Sequence, residues 1–113
     1  MLKIFHNPRC TKSRETLKII EESGEMVEVV EYLKTVPSEE ELTDLVKLLG
    51  ISPEELVRKG EAIYKEEFKG KLLSDEEWIK AMVMHPKLME RPIVVKGNKA
   101  IIGRPPEKVK ELI

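Results

Sequence analysis

The stretch LKIFHNPRCTKSRETLKIIEE, which spans residues 2–22, decides the fold of this chain. Apolar and polar side chains alternate over residues 2–6, as they do in a half-buried strand, and the Asn-Pro pair at residues 7–8 breaks that strand. Residues 11–22 then show the spacing of apolar side chains that is typical of a helix. The stretch therefore predicts a strand, a short loop that contains Cys10, and a helix.

The segments that follow predict an α/β protein. Residues 27–32, with the sequence VEVVEY, predict a second strand, and a strand–helix–strand unit of this length implies parallel pairing with a right-handed crossover. The middle of the chain is predicted to be helical throughout. Apolar side chains before Gly50 have the spacing i, i+3, i+4, i+7, and capping boxes begin at Ser52 and Ser74.

The last third of the chain returns to a strand pattern. Residues 93–95 and 100–102 flank a Gly-Asn pair at residues 97–98, which suits a tight hairpin, and residues 106–112 predict a final short helix. This order of elements, βαβ…ββα, predicts a thioredoxin-like fold. Its mixed four-stranded sheet would carry an all-helical insertion at about residues 38–85.

Size and composition restrict the function. A chain of 113 residues suits a single domain over residues 1–113, and its formal net charge of −1 provides no basic field for nucleic acid. No apolar run approaches the roughly 20 residues that span a bilayer, and the start of the chain lacks a signal-peptide pattern. We expect a cytoplasmic protein, a monomer, with no direct nucleic-acid or membrane partner.

The cysteine count limits redox chemistry. One cysteine excludes an internal disulfide, and one cysteine with two histidines makes no convincing structural zinc site. Ser13 stands where a Cys-x-x-Cys motif would place its second cysteine. We therefore expect neither a metal nor a bound cofactor, and a redox cycle at Cys10 would need a second thiol from another molecule.

Cys10 is the candidate nucleophile. It lies where a strand leads into a helix, and the free amides and partial positive charge of a helix N-terminus favour a thiolate. Arg9, Lys12 and Arg14 outnumber the one nearby acid, Glu15, which should lower the pKa of the thiol and attract anions. The same amides could hold an oxyanion while the sulfur attacks it. The alternative is a half-buried cysteine that only fills space.

Two polar residues accompany Cys10 in this stretch. Ser13 could donate a hydrogen bond to the thiolate or cap the helix. His6, four residues before the cysteine, could stabilise the thiolate or tune its proton uptake. An ordinary histidine at a strand end would have the same spacing.

Three arginines offer the forked donors that suit tetrahedral oxygens. Arg58 lies near the end of a predicted helix, where a cation also favours the helix dipole without any function. Arg91 precedes Pro92, and such a bond can be cis, which would fix the arginine beside the active-site loop. Arg104 precedes a rigid pair of prolines. Each alone is typical of a solvated surface residue, but three on loops or element ends favour an anion site.

Four segments together resemble the ArsC-type arsenate reductases, a group that also includes the Spx-type regulators. They occur in the family's order and spacing, and the likeness extends from Lys3 to about Val109. The segments are HNPRCTKSRETL at residues 6–17, LVRKG at 56–60, HPKLMERPIVV at 85–95 and GRPPE at 103–107.

The resemblance implies a thioredoxin-like fold and a set of roles. Cys10 would be the catalytic nucleophile, and His6 would assist its thiolate. We place Ser13 with the substrate-binding residues. The arginines that would bind the oxyanion are Arg58, Arg91 and Arg104.

The implied reaction is the reduction of arsenate to arsenite, a step of arsenic resistance. The Cys10 thiolate would attack arsenate to form a covalent adduct, and an outside thiol would reduce the arsenic. Glutathione with glutaredoxin, or a thioredoxin-like donor, would restore the cysteine. The single cysteine of the chain agrees with that outside thiol.

Two departures and two alternatives accompany the resemblance. Thr11-Lys12 replaces the Gly-Thr that follows the cysteine in the best-known reductases, and the chain lacks their longer C-terminal tail after Arg104. One alternative is a regulator that binds RNA polymerase as the Spx-type proteins do, against which the missing second cysteine counts. The other is a related single-cysteine reductase with a different thiol or oxyanion substrate.

Overall fold

The computed structural model describes residues 2–90 and 92–113. Their contacts divide the chain into two compact units, one of Met1–Thr35 with Arg91–Ile113 and one of Val36–Glu90. We call the first the sheet unit and the second the helical unit. The single domain over residues 1–113 stays a prediction.

The sheet unit contains a mixed four-stranded sheet. Its strands are β1 (Leu2–His6), β2 (Val27–Glu31), β3 (Ile93–Lys96) and β4 (Lys99–Ile102). The order across the sheet is β2-β1-β3-β4. β1 pairs in parallel with β2 and antiparallel with β3, and β3 and β4 form the antiparallel hairpin. The predicted mixed sheet and its parallel first pair are confirmed.

One helix and the C-terminal turn cover a face of this sheet. The helix α1 spans Thr11–Glu22, as predicted, and packs against a 3₁₀ helix at Pro106–Glu111, where a short final helix was expected. Leu2 and Ile4 alternate along β1 and therefore point to the same face, the one that α1 covers. The buried core of the sheet unit consists of Leu2, Ile4, Ile20, Val94, Val109 and Leu112.

The helical unit contains two α-helices, α2 at Glu39–Leu49 and α3 at Asp75–Met84. Ser38 and Ser74 begin them with complete capping boxes. Two short helical turns, Pro53–Leu56 and Tyr64–Phe68, lie between them, and a third, Pro86–Leu88, follows α3. Over residues 2–90 and 92–113, no helix is both long and apolar enough to cross a membrane.

Aromatic packing holds the helical unit together around Trp78, whose side chain is only 2% exposed. Tyr64 stacks against it with ring centroids 6.3 Å apart, and Phe68 lies at 5.9 Å. Both partners come from the π-helical turn at Tyr64–Phe68. Trp78 is therefore a packing residue.

The prediction of a middle segment that is helical throughout is wrong, and the longest interruptions are residues 57–61 and 69–74. In the first, Val57 forms an isolated antiparallel bridge with Met89, so its backbone leaves the helical pattern. In the second, Gly70 takes a φ of +81°, a left-handed conformation that ends a helix. Helical spacing on either side conceals such short interruptions in the sequence.

Removal of the serine that caps α3 should destabilise the protein. Ser74→Ala deletes the acceptor of the Glu77 N–H, and we expect the free energy of unfolding to fall by about 1 kcal/mol. Ser74→Gly is the matched control, with an expected loss of about 0.3 kcal/mol because glycine leaves the amide open to water. Urea unfolding followed by circular dichroism measures both, and equal losses would contradict the role of the cap.

Candidate active site

A tight turn leads from β1 to Cys10. The Cys10 N–H donates to the Asn7 carbonyl at 3.0 Å, and the Arg9 N–H donates to Oδ1 of the Asn7 side chain at 3.0 Å. Asn7 is only 7% exposed, so its side chain lies inside the turn, where an asparagine oxygen replaces a backbone acceptor. The turn therefore sets the direction in which the chain enters α1.

Cys10 is the N-cap residue of α1. Its backbone is extended, with φ −94° and ψ 122°, and its side chain makes no capping hydrogen bond. The first turn of α1, all of it described, contains no acidic residue to offset the partial positive charge of the helix N-terminus. Arg104 Nη2 donates to Cys10 Sγ at 3.9 Å. The half-buried sulfur thus meets a guanidinium and a helix N-terminus, two groups that favour a thiolate.

His6 and Ser13 form a buried polar pair next to this turn in the sequence. His6 Nδ1 and Ser13 Oγ are hydrogen-bonded at 2.6 Å, and the Asn7 N–H donates to the same Oγ at 3.1 Å. His6 is 6% exposed and Ser13 is fully buried. The Ser13 hydroxyl therefore connects α1 to the end of β1. Its predicted hydrogen bond to the thiolate stays a prediction.

The environment of His6 keeps its imidazole neutral. Burial lowers the pKa of His6 below the ordinary value of 6.5, and this effect outweighs the opposing charge of Glu31. The Arg14 guanidinium lowers the pKa further. At pH 7 His6 is therefore a proton acceptor and hydrogen-bond partner instead of a fixed positive charge.

A close contact sets the position of Arg104. The Gly103 N–H donates to the Pro92 carbonyl at 2.8 Å. A Cβ at Gly103 would lie 2.8 Å from both Pro92 Cγ and Thr16 Oγ1, and Thr16 is fully buried. Only glycine, which has no Cβ, is accommodated where the chain comes this close to α1. The residue that follows, Arg104, thereby reaches the Cys10 sulfur, and its peptide bond to Pro105 is cis.

Arg14 stabilises the Cys10 loop. Its Nη1 donates to the Pro8 carbonyl at 3.0 Å, and its Nη2 donates to the Thr11 hydroxyl at 3.3 Å. Both hydrogen bonds are exposed to solvent, which reduces their contribution. Arg14, which the sequence predicts to add to a local positive charge, thus also connects the loop to the start of α1.

Neither of the other two predicted oxyanion ligands belongs to the described part of the sheet unit. Arg58 belongs to the helical unit, where Glu61 and Glu90 each lie 3.7 Å from its guanidinium. Arg91 lies outside the described residues, and so does the predicted cis bond to Pro92.

The sheet unit brings together the other predicted site residues. They are His6, Cys10, Ser13 and Arg104. The sequence analysis did not predict the contributions of Asn7, Thr16 and Gly103, which orient these side chains. Among the described residues, no three His, Cys, Asp or Glu side chains are grouped so as to hold a metal ion.

The fold and the site define a thioredoxin-like protein whose single cysteine begins the first helix. Comparison with known families makes the assignment specific. The sequence profile of the ArsC family matches residues 5–112, and the chain belongs to that family.

Individual relatives are similar over nearly the whole chain. An uncharacterised protein of Escherichia coli K12, YfgD, is 54% identical over 99% of this chain and 96% of its own length. An arsenate reductase of Neisseria meningitidis serogroup A is 42% identical over 99% of this chain and 97% of its own length. The solved structure of an arsenate reductase from Vibrio cholerae has a TM-score of 0.95 at 47% identity, and the match covers 99% of this chain and 97% of that one.

An alanine at Gly103 should displace Arg104 from Cys10. The added Cβ forces the chain away from Thr16, and we expect a loss of about 1–3 kcal/mol in the free energy of unfolding. Alkylation of Cys10 by iodoacetamide at neutral pH should also slow, because the sulfur loses a guanidinium that favours the thiolate. Gly60→Ala is the matched control, since a Cβ there meets nothing within 4 Å. Equal effects of the two substitutions would contradict this account.

Acidification should destabilise the protein through His6. The unfolded chain takes up a proton near the ordinary pKa of 6.5, while the folded state keeps His6 neutral. The contribution of His6 is therefore complete above that pH and is lost as the pH falls through its lowered pKa. Between about pH 7.5 and 5.5, the free energy of unfolding should therefore fall less for His6→Asn than for the wild type. Urea unfolding at each pH measures this difference. An NMR titration of the His6 imidazole at or above 6.5 would contradict the expected direction.

Proposed function

We propose that this protein is a thiol-dependent arsenate reductase. The observation that carries the proposal is the Cys10 sulfur, which lies at the N-terminus of α1 and accepts from Arg104 Nη2 at 3.9 Å. Membership of the ArsC family supports the assignment, as do similar proteins from Neisseria meningitidis and Vibrio cholerae that are named arsenate reductases.

The proposed reaction begins at Cys10. The sulfur forms a bond to arsenic, and one arsenate oxygen takes up protons and leaves as water. Two thiols then supply two electrons and end as one disulfide, while arsenic passes from the pentavalent to the trivalent state and leaves as arsenite. Because the chain has one cysteine, at least one of these thiols must come from another molecule.

The residues around Cys10 have distinct proposed roles. A neutral His6 can accept a proton, and the Ser13 hydroxyl that it contacts can pass one on, so the pair is suited to receive the thiol proton. Arg104 would favour the thiolate and donate to an oxyanion oxygen. We propose Arg58 and Arg91 as the other oxyanion ligands.

We propose glutathione with glutaredoxin, or a thioredoxin-like protein, as the thiol donor. Ser13 occupies the place of a second cysteine in a Cys-x-x-Cys motif, which supports a donor outside the chain. The reaction needs no bound cofactor. We also propose that the protein is cytoplasmic, because the cytoplasm keeps such donor thiols reduced. We further propose that it is a monomer.

The alternative of an Spx-type regulator is not favoured. The two relatives described above that have a named activity are arsenate reductases, and a single cysteine cannot form an internal redox disulfide. A competition experiment between oxyanions distinguishes arsenate reduction from the other alternative, a reductase with a different oxyanion substrate. Because Lys12 adds a positive charge in the first turn of α1, directly after Cys10, phosphate and sulfate are the appropriate competitors of arsenate.

Arsenate turnover tests the proposal. Arsenite formation is measured with glutathione and glutaredoxin, with thioredoxin, and with a small dithiol as reductants. We expect turnover with at least one of them and a loss of about 1000-fold or more in Cys10→Ser, which lacks the nucleophile. A wild type that is inactive with every donor would overturn the proposal.

Arg104 should contribute mainly to arsenate binding. Arg104→Met removes a charge-assisted donor beside the sulfur, and we expect kcat/KM for arsenate to fall by about 10- to 100-fold. Lys108→Met removes one positive charge from an exposed position on the 3₁₀ helix at Pro106–Glu111 and should leave kcat/KM unchanged. A similar fall in both variants would mean that overall charge, and not this contact, attracts arsenate.

A further inference from the structure

A β-turn over residues 7–10 connects β1 to α1. The hydrogen bond from the Cys10 N–H to the Asn7 carbonyl, at 3.0 Å, joins the first and last residues of this turn. Pro8 occupies the second position, which proline favours, and asparagine is among the residues that favour the first position. The sequence of the turn therefore suits its shape.

The Asn7 side chain adds a second hydrogen bond inside this turn. Its Oδ1 accepts from the Arg9 N–H at 3.0 Å, and Asn7 is only 7% exposed. Such a bond, from an asparagine oxygen to the N–H two residues later, replaces a backbone hydrogen bond. Because Arg9 itself is exposed, its N–H would bond to water if this acceptor were absent. The side chain therefore restricts the turn to one conformation without being needed to satisfy a buried group.

The backbone of Asn7 is also attached to α1. The Asn7 N–H donates to Ser13 Oγ at 3.1 Å, and Ser13 is fully buried. The same Oγ is hydrogen-bonded to His6 Nδ1 at 2.6 Å. Asn7 thus lies between two parts of the proposed active site, the Cys10 nucleophile and the pair of His6 and Ser13.

The turn determines where the Cys10 sulfur lies. Cys10 is the N-cap residue of α1, and its side chain makes no capping hydrogen bond that would hold it there. Arg104 Nη2 is one donor to the sulfur, at 3.9 Å. The attraction between a guanidinium and a thiolate weakens with distance, so a turn that let Cys10 move away would lower the fraction of thiolate.

We propose that Asn7 is a positioning residue for the Cys10 nucleophile, whose side chain holds the turn that keeps the sulfur beside Arg104 and at the start of α1. The inference rests on the proposed function, because Cys10 is the nucleophile of that reaction. It adds a residue for which the resemblance to the reductases supplies no role. Asn7 acts through Cys10, by fixing the backbone that carries the sulfur.

The pH dependence of Cys10 alkylation by iodoacetamide tests this inference on the full chain. The midpoint of the profile reports formation of the thiolate, and the plateau at high pH reports access of the reagent to the sulfur. In Asn7→Ala we expect the midpoint to rise by about one pH unit and the rate at pH 7 to fall by about 5- to 10-fold. A change in exposure alone would alter the plateau and leave the midpoint unchanged.

Two further variants separate positioning from general destabilisation. Asn7→Ser retains an oxygen that can accept from the Arg9 N–H, though more weakly, and should recover part of the shift. Ser23→Ala is the matched control at the other end of α1. It removes a side chain that donates to the Ile20 carbonyl at 2.6 Å and accepts from the Glu25 N–H at 3.3 Å, and it should keep the wild-type midpoint.

A double-mutant cycle tests whether Asn7 acts through the contact of the sulfur with Arg104. Arg104→Met removes one source of positive charge at the sulfur, so Asn7→Ala should shift the midpoint less in this background than in the wild type. Equal shifts in the two backgrounds would overturn the inference. So would an unchanged midpoint in Asn7→Ala, no recovery in Asn7→Ser, or an equal shift in Ser23→Ala. If Asn7→Ala does not fold, Asn7→Ser is compared with the wild type, and an unshifted midpoint again overturns the inference.

Arsenite formation is measured separately on the same preparations. A wild type that does not reduce arsenate, with the expected shifts in the variants, would retain the positioning of Cys10 by Asn7 and refute the reductase. A wild type that reduces arsenate, with a midpoint that Asn7→Ala does not shift, would retain the reductase and refute the positioning role.

Discussion

The Cys10 site depends on the pairing of β1 with a neighbour on each side, β2 in parallel and β3 antiparallel. The double pairing extends to Phe5, and His6, the last residue of β1, is paired with Glu31 of β2. The turn built on Asn7 and the first turn of α1 follow without a flexible linker. Cys10 is therefore positioned by backbone hydrogen bonds on both sides of it.

In this site, the groups that supply positive charge differ from the group that can accept a proton. Arg104 and the N-terminus of α1 supply positive potential at the sulfur, and neither needs to gain or lose a proton at neutral pH. His6 is buried against Ser13, and burial favours its neutral form. A charged imidazole would raise the potential further but could not accept the thiol proton. The burial of His6 thus keeps its proton-accepting capacity.

Local patterns predicted the elements well but not the contacts between them. The spacing of apolar residues and the capping serines indicated α1, α2 and α3 with nearly their observed bounds. The partners of Ser13 were not predictable, because its hydroxyl could equally bond the thiolate or cap the helix, and only the packing of α1 on β1 brings it to His6 and Asn7. Glu90 lies far from Arg58 in sequence, and their ion pair follows from a pairing of residues 56–58 with 88–90 that has no strand-like pattern. In the sequence, Gly103 resembles any other loop glycine. Its requirement for glycine follows only from the contact with Thr16 in the fold.

The strand order also has a consequence for synthesis of the protein on the ribosome. β1 and β2 emerge early, but the second neighbour of β1 is β3, which emerges only after residues 36–90 have been made. During that interval one edge of β1 has unpaired backbone groups, while helices with local contacts can already form. The long sequence separation of this pairing makes completion of the sheet the slow step of folding, and the nascent chain is most exposed to aggregation just before β3 inserts.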